Sequence, residues 1–349
     1  MKLTRIDSTN ARQPSWQILK EWEEVLSQKT GLPVYRDNRL IRYIKAHFDK
    51  WGMSFLWKIL VTRKNLGLRF IMNAQDIKVC DINKFTIPVI IDFWLKEEQL
   101  PAFYVAYKEV PLILLTNLEV YEFLKQHKCP IPIEHWALSY PDKYSISNKR
   151  LEKEYEFCFI GRPNPFFVRL LDKYCSTHPD FYYISNNSDI NHRQYIDNKG
   201  KVVAEDTGRD SYLSMIQKTK ISCYTTPGID ESKKETSNFN QVTPRLFEML
   251  CNQCHVIGHY PNSYDTNWYN LNSIVPNVDS YNDFEKWLDY FRTHEFDIQK
   301  GITFMDKHYT SSRVKSLIDI CNMQDPDRFA PRSARRARVS AARRMRICR

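Results

Sequence analysis

Short apolar runs alternate with amphipathic stretches along most of the chain. Runs of four to eight residues rich in β-branched and aromatic types read as buried strands. Apolar residues recurring every three to four positions read as helices packed on one face. In the first half this predicts strands at Lys2–Ile6, Leu68–Met72, Ile87–Phe93, Pro111–Leu115 and Pro130–Ile133. Helices are predicted at Trp16–Gln28, Ile41–Phe48, Phe55–Val61 and Leu118–Gln126. The stretch from about 136 to Leu151 reads as a linker. Beyond it, strands are predicted at Glu156–Ile160, Phe181–Ile184, Ile221–Tyr224 and His255–Gly258. Helices are predicted at Phe166–Cys175, Tyr212–Lys218, Thr243–Leu250, Asp283–Thr293 and Asp306–Cys321.

Strands alternating with helices imply α/β layers around parallel sheets. A length of 349 residues suggests about two domains. The expected organisation is two Rossmann-like lobes, residues 1–150 and 151–322, with a ligand-binding cleft between them at strand C-terminal ends. Glycine is scarce, nine residues against a usual ~7%. No pair of glycines has dinucleotide-fingerprint or P-loop spacing, so both of those phosphate loops are excluded.

The net charge of +10 is uneven. Residues 326–349 carry nine Arg and one Asp, leaving a net of +2 for everything before them. Residues 323–349 are therefore expected to be a disordered, compositionally foreign tail of cloning or read-through origin, with a basic arm for phospholipid or nucleic acid as the alternative. Without the tail nothing points to nucleic acid. No apolar run reaches ~18 residues and no secretory h-region opens the chain, so a cytoplasmic setting with reduced thiols is expected. The string Cys251-Asn252-Gln253-Cys254-His255 matches a haem-attachment pattern. It also straddles a helix end and a buried strand, and that structural reading is preferred. No metal and no cofactor are expected.

Two places could carry chemistry. At Gly161-Arg162 a strand ends and a helix opens shortly after. Glycine permits close backbone approach, the helix N-terminus offers unpaired N–H groups, and arginine adds a bidentate cation. Together these suit a diphosphate; a surface turn with a locally paired arginine is the plain alternative. At Thr243-Pro244-Arg245-Leu246-Phe247-Glu248, Thr243 is the expected N-cap and Pro244 the first helical residue. Arg245 and Glu248 are i, i+3 and share a face. They form either an exposed ion pair or a ligand pair in which the acid takes a ribose diol and the arginine a phosphate.

The string VTPRLFEMLCNQCHVIGHYP resembles the donor-binding helix and following strand of GT-B glycosyltransferases, nearest to family-4-like and spore-maturation-type members. Their pattern is roughly "(T/S)-x-R-x-(F/L)-E-x-(L/M)-A-C-G-x-x-(V/P)-I". EFCFIGR resembles the strand and glycine-arginine turn that open their nucleotide-binding lobe, and HYTSSRVKSLI their closing helix. The likeness spans about residues 155–320. It implies a GT-B fold and transfer of a sugar from a nucleotide diphosphate donor to a saccharide or lipid-linked hydroxyl acceptor, as in polysaccharide or glycoconjugate synthesis. Glu248 would hold the ribose hydroxyls and Arg162 and Arg245 the pyrophosphate, with Gly161 and Thr243 beside them. The chain departs from the pattern at Asn252-Gln253, where a small residue and glycine are usual, and at Asn240, where an acid is usual.

A base, if one is required, is expected from the first lobe. Asp92 ends the best buried strand, near Phe93 and Trp94, and serves as candidate base or acceptor contact, or as a plain helix cap. Glu97, Glu98 and His135 are weaker candidates. The D-x-D triplet Asp325-Pro326-Asp327 lies at the tail junction, which favours metal-independent neutralisation of the leaving group by arginines. Aromatic and basic residues around Trp51, Phe55 and Trp57 with Lys45, Lys50, Lys58, Arg63 and Lys64 suit a membrane-surface patch or, more plainly, core helices with a solvated face. Rival functions are a nucleotide-sugar epimerase or phosphorylase-like enzyme, and a non-catalytic nucleotide-sugar-binding scaffold.

Overall fold

The computed structural model describes residues 3–8, 16–53, 56, 65–75, 81–159, 161, 164–186, 194–205, 208–231 and 237–322. Arg162, nearly all of the helix predicted at Phe55–Val61, the Asp325–Asp327 triplet and the 323–349 tail lie outside the described residues. Two compact units divide the chain. Residues 19–137 belong to the first, together with the N-terminal strand and residues 313–322. Residues 138–312 belong to the second.

The first unit is built on a six-stranded, fully parallel sheet in the order β2-β1-β3-β4-β5-β6. Its strands are β1 (Leu3–Asp7), β2 (Val34–Tyr35), β3 (Leu66–Asn73), β4 (Thr86–Asp92), β5 (Ile113–Leu115) and β6 (Ile133–His135). The helices are α1 (Gln17–Thr30), α2 (Arg39–Lys50), α3 (Leu100–Tyr107) and α4 (Leu118–Gln126). Central strand β4 is buried along Thr86–Ile91, as a sheet covered on both faces requires. Pro88 lies at its third residue. Pairing with β5 begins only at Val89, so the missing N–H leaves no gap in that ladder. Asn117 caps α4 by accepting from the Val120 N–H at 3.1 Å.

The second unit carries the sheet β10-β9-β8-β7-β11-β12. Its strands are β7 (Tyr155–Cys158), β8 (Tyr183–Asn186), β9 (Gln194–Asp197), β10 (Val202–Glu205), β11 (Thr219–Thr225) and β12 (His255–His259). β8, β7, β11 and β12 run parallel; β9 and β10 add an antiparallel hairpin at one edge. The helices are α5 (Pro165–Thr177), α6 (Arg209–Lys218), α7 (Pro244–Cys251), α8 (Tyr264–Trp268), α9 (Tyr281–Thr293) and α10 (Ile298–Met305), and α11 (Thr310–Asn322) begins here but has residues 313–322 in the first unit. Phe157, Phe167, Leu171, Ile221, Ile257 and Phe284 form the centre of a core between the sheet and helices α5 and α9.

Several expectations change. The closing helix does not begin at Asp306. Asp297 caps α10, and the chain then turns before α11 starts at Thr310. The interruption has a long-range cause: Tyr140 N–H donates to the His308 carbonyl and Thr310 N–H to the Tyr140 carbonyl, both at 2.9 Å. Those groups are thereby unavailable for helix bonds. The segment expected as a linker is packed from Leu138 to Pro141, with Tyr140 fully buried. The haem-like string is structural. Cys251 and Cys254 are buried, and the Cys254 thiol, pushed up to about 11 by burial, lies 3.1 Å from the Ile216 and Thr219 carbonyls. His255 stacks on Phe291 with Nε2 3.1 Å from the His294 carbonyl.

Candidate functional site

The parallel strands β7, β11 and β12 end on the same side of the second unit's sheet. Just beyond β7, Gly161 adopts φ +75°, the left-handed region that glycine enters without penalty. A Cβ placed there would lie 2.5 Å from Nη2 and 2.8 Å from Cζ of Arg245. The two residues drawn from separate stretches of sequence are thus in contact: the Arg245 guanidinium rests on the Gly161 backbone. Arg245 is half-buried and, among the described residues, has no hydrogen bond or ion pair.

Asn164 follows at the start of α5. Its Oδ1 caps the helix by accepting from Phe166 N–H at 2.7 Å, and Pro165 fills the first helical position. The Asn164 Nδ2 is buried and has no hydrogen-bond partner. A buried amide donor without a partner costs free energy unless something else satisfies it. The Gly161–Arg245 contact and the buried Asn164 amide thus both lie in the stretch between β7 and α5, whose N-terminal end favours an anion.

Helix α7 brings Arg245 and Glu248 close in sequence but not into a pair. Glu248 is 5% exposed, and its partners come from α6. Arg209 Nη1 lies 2.7 Å from Oε1, and the Tyr212 hydroxyl donates to Oε2 at 2.8 Å. Arg209 is equally buried and its guanidinium lies 5.6 Å from the Tyr144 ring centre. Burial, then the Glu248 carboxylate, holds the Tyr212 phenol well above its ordinary value; the same two causes raise Tyr140. Of the two alternatives for Arg245 and Glu248, the exposed ion pair is not formed, because Glu248 is already paired with Arg209.

Thr243 occupies the N-cap position of α7 with extended backbone, but its side chain makes no capping hydrogen bond. Its backbone N–H instead donates to the Tyr224 hydroxyl at 3.0 Å. Asp265, 1% exposed, accepts from Val242 N–H at 3.2 Å and supports the same approach to the helix. Both departures from the family pattern have local partners. Asn240 Oδ1 accepts from the Thr226 hydroxyl at 2.7 Å, tying two loops at the strand ends. Gln253 adopts φ +55°, the conformation a glycine would take after the helix. Its side chain accepts from Leu151 N–H at 3.1 Å and donates to the Ser147 and Lys149 carbonyls, both at 2.9 Å.

In the first unit Asp92 ends β4, half-buried, opposite Asn73. Glu97 and Glu98 are exposed on a surface turn. His135 ends β6. Burial, then Arg313, lowers its pKa to about 4, and a backbone hydrogen bond at Thr116 opposes this in part. It is a neutral imidazole at neutral pH. Sequence reasoning missed Arg209, Tyr212 and Asn164. Arg209 did leave a signal: a cation at the first position of a helix opposes the macrodipole and needs a counter-charge. Among the described residues, no group of three or more His, Cys, Asp or Glu side chains could hold a metal ion. No helix among them is long and apolar enough to cross a membrane.

No protein-family model matches the chain, and no curated protein matches it. Among solved structures, it is similar to a GtfA/B complex (10% identity, TM-score 0.47, 77% of this chain and 59% of that one). It is also similar to the pneumococcal O-GlcNAc transferase GtfA in complex with UDP and GlcNAc (9%, 0.43, 78% and 60%). A third likeness is to the glycotransferase of kitacinnamycin (10%, 0.44, 93% and 99%). The chain spans about three fifths of the first two. With these three TM-scores below 0.5, the fold stands on the strand order given above: an α/β protein with two parallel-dominated sheets.

Proposed function

We infer that the second unit binds the diphosphate of a nucleotide sugar and that the protein is a GT-B glycosyltransferase, family-4-like or spore-maturation-type, transferring sugar to a saccharide or lipid-linked hydroxyl. The observation that carries the reading is the Arg245 guanidinium on Gly161, unpartnered among the described residues; the unpartnered Asn164 amide at the start of α5, three residues on from Gly161, supports it. Diphosphate oxygens would satisfy both donors and accept from the helix N-terminus. The sequence likeness at EFCFIGR and VTPRLFEML supports the class of reaction. Arg162 would join Arg245 on the leaving group, so that charge is neutralised by guanidinium groups rather than by a divalent ion. Glu248 would take the ribose with the acceptor positions left after Arg209 and Tyr212, a carboxylate having about four in all. Thr243 would lie beside it, and Asp92 would serve as base or acceptor contact from the first unit. A cytoplasmic location is part of this reading.

A second reading is a nucleotide-sugar-binding protein without transferase chemistry, favoured by the engagement of both Glu248 oxygens within the protein. A thermal-shift screen over nucleoside diphosphates and their sugars, followed by product analysis with and without acceptor, separates the two. A ligand at 100 times its dissociation constant stabilises the folded state by about 2.7 kcal/mol. Stabilisation with slow release of free sugar from the donor supports the transferase. Stabilisation with no turnover under any acceptor supports the binding protein. No shift with any nucleotide refutes both.

A further inference from the structure

Helix α2 of the first unit presents an outward face that combines exposed aromatic and basic residues. Leu40 is 65% exposed, Tyr43 63% and Trp51, just past the helix end, 61%. At about 100° per residue, Tyr43, His47, Leu40 and Trp51 fall within roughly 80° of one another around the axis, and Lys50, Arg39 and Arg42 occupy the adjoining sector. The rings form one ridge: Tyr43 and His47 centroids are 4.0 Å apart, and His47 meets Trp51 edge-on at 5.4 Å. Residues 39–50 carry four Lys or Arg and one acid, Asp49. The opposite face is tied down. Ile41, Ile44 and Phe48 are half-buried, and Lys45 pairs with Asp37 and with Asp81, the latter at 3.0 Å.

We propose that this ridge is where the protein rests on an anionic lipid bilayer. The proposal does not depend on the nucleotide-sugar reading. Tryptophan and tyrosine rings have an apolar body and a polar edge and partition to the headgroup level. Lysine and arginine beside them meet the negative surface potential, each contributing about a fivefold gain in affinity. Lys45 and the half-buried Ile41, Ile44 and Phe48 hold the inner face on the unit, which disfavours release of the helix into a protein groove. It can meet a broad, flat partner as it stands. A purely electrostatic polyanion such as RNA would match the cations but leave the aromatic ridge in water.

The test is hydrogen–deuterium exchange on the full chain, alone, with phosphatidylcholine vesicles, with vesicles that also contain phosphatidylglycerol, and with an RNA oligonucleotide. Slowed exchange across residues 39–51 on the anionic vesicles alone is the expected result. In co-sedimentation, L40S/Y43S/W51S should bind at least tenfold more weakly, and R39Q/K50Q should lose about fivefold per cation together with its share of the salt dependence. Melting temperatures close to wild type check that the variants fold; if one does not, the wild-type exchange map decides. Protection confined to the arginine-rich 326–349 tail overturns the proposal. So does equal protection of 39–51 by RNA, or protection that rises with protein concentration in the absence of lipid.

Discussion

One glycine in each unit lies beneath an arginine, and the two sites differ in what neutralises the cation. In the first unit, a Cβ on Gly67 would lie 2.9 Å from the Arg5 Nε and against Asp7. Arg5 is buried and pairs with Asp7 at 2.9 Å. In the second unit, Gly161 makes the same room for Arg245, which has no partner among the described residues. The local device is shared, but only one of the two guanidinium groups retains capacity for an external anion. A buried arginine with an internal carboxylate supports the fold; a half-buried arginine without one is available to a ligand.

The sharpest way to break this comparison is to remove counter-charges. Asp7→Ala or Glu248→Ala leaves a buried guanidinium uncompensated, and each should destabilise by about 3–5 kcal/mol in urea unfolding. The joint variant Arg209→Met/Glu248→Leu should recover most of that loss, since an apolar pair of similar volume is often neutral. Recovery of stability without recovery of nucleotide binding would separate the two roles of Glu248. Gln253→Ala loses three hydrogen bonds and keeps the left-handed backbone, an expected loss of about 1–3 kcal/mol; Gln253→Gly should lose less, because it relieves the strain.

Histidines sharpen the comparison in another way, since each unit holds one whose pKa is lowered by desolvation. Burial brings His135 and His255 to about 4, below the ordinary 6.5. Between those values the unfolded chain binds a proton that the folded chain does not. Stability is therefore fully present above pH 6.5 and falls as pH drops towards 4, by up to about 1.4 kcal/mol per pH unit for each histidine. Urea midpoints measured across that range should show the decline, and His255→Gln should flatten it in the second unit. The smallest effect is expected at Arg245 itself. With no internal partner to lose, Arg245→Gln should change stability by under about 0.5 kcal/mol.

The central strands were legible because both of their faces are covered. IPVIID and PLILL are continuous apolar runs, and the structure places them in β4 and β5. The β9–β10 hairpin was not, because an edge pair needs no such run: Val202 is exposed and Gln194 and Glu205 are polar. The break between α10 and α11 was invisible because its cause, Tyr140, lies far away in sequence. At the site, Gly161, Arg245 and Glu248 could each be named from local pattern and likeness. Their pairing could not. Nothing between positions 161 and 245 states that one arginine rests on a glycine, and nothing in the α7 sequence states that Arg209 reaches Glu248.

The central claim is that Arg245 on Gly161 receives a diphosphate. Calorimetric titration of wild type and Arg245→Gln with UDP, GDP and the matching monophosphates tests it most directly. The account predicts that wild type prefers one diphosphate over its monophosphate by about tenfold or more, the size of one charge-assisted contact, and that Arg245→Gln erases this preference at unchanged stability. An identical diphosphate preference in both proteins would contradict it.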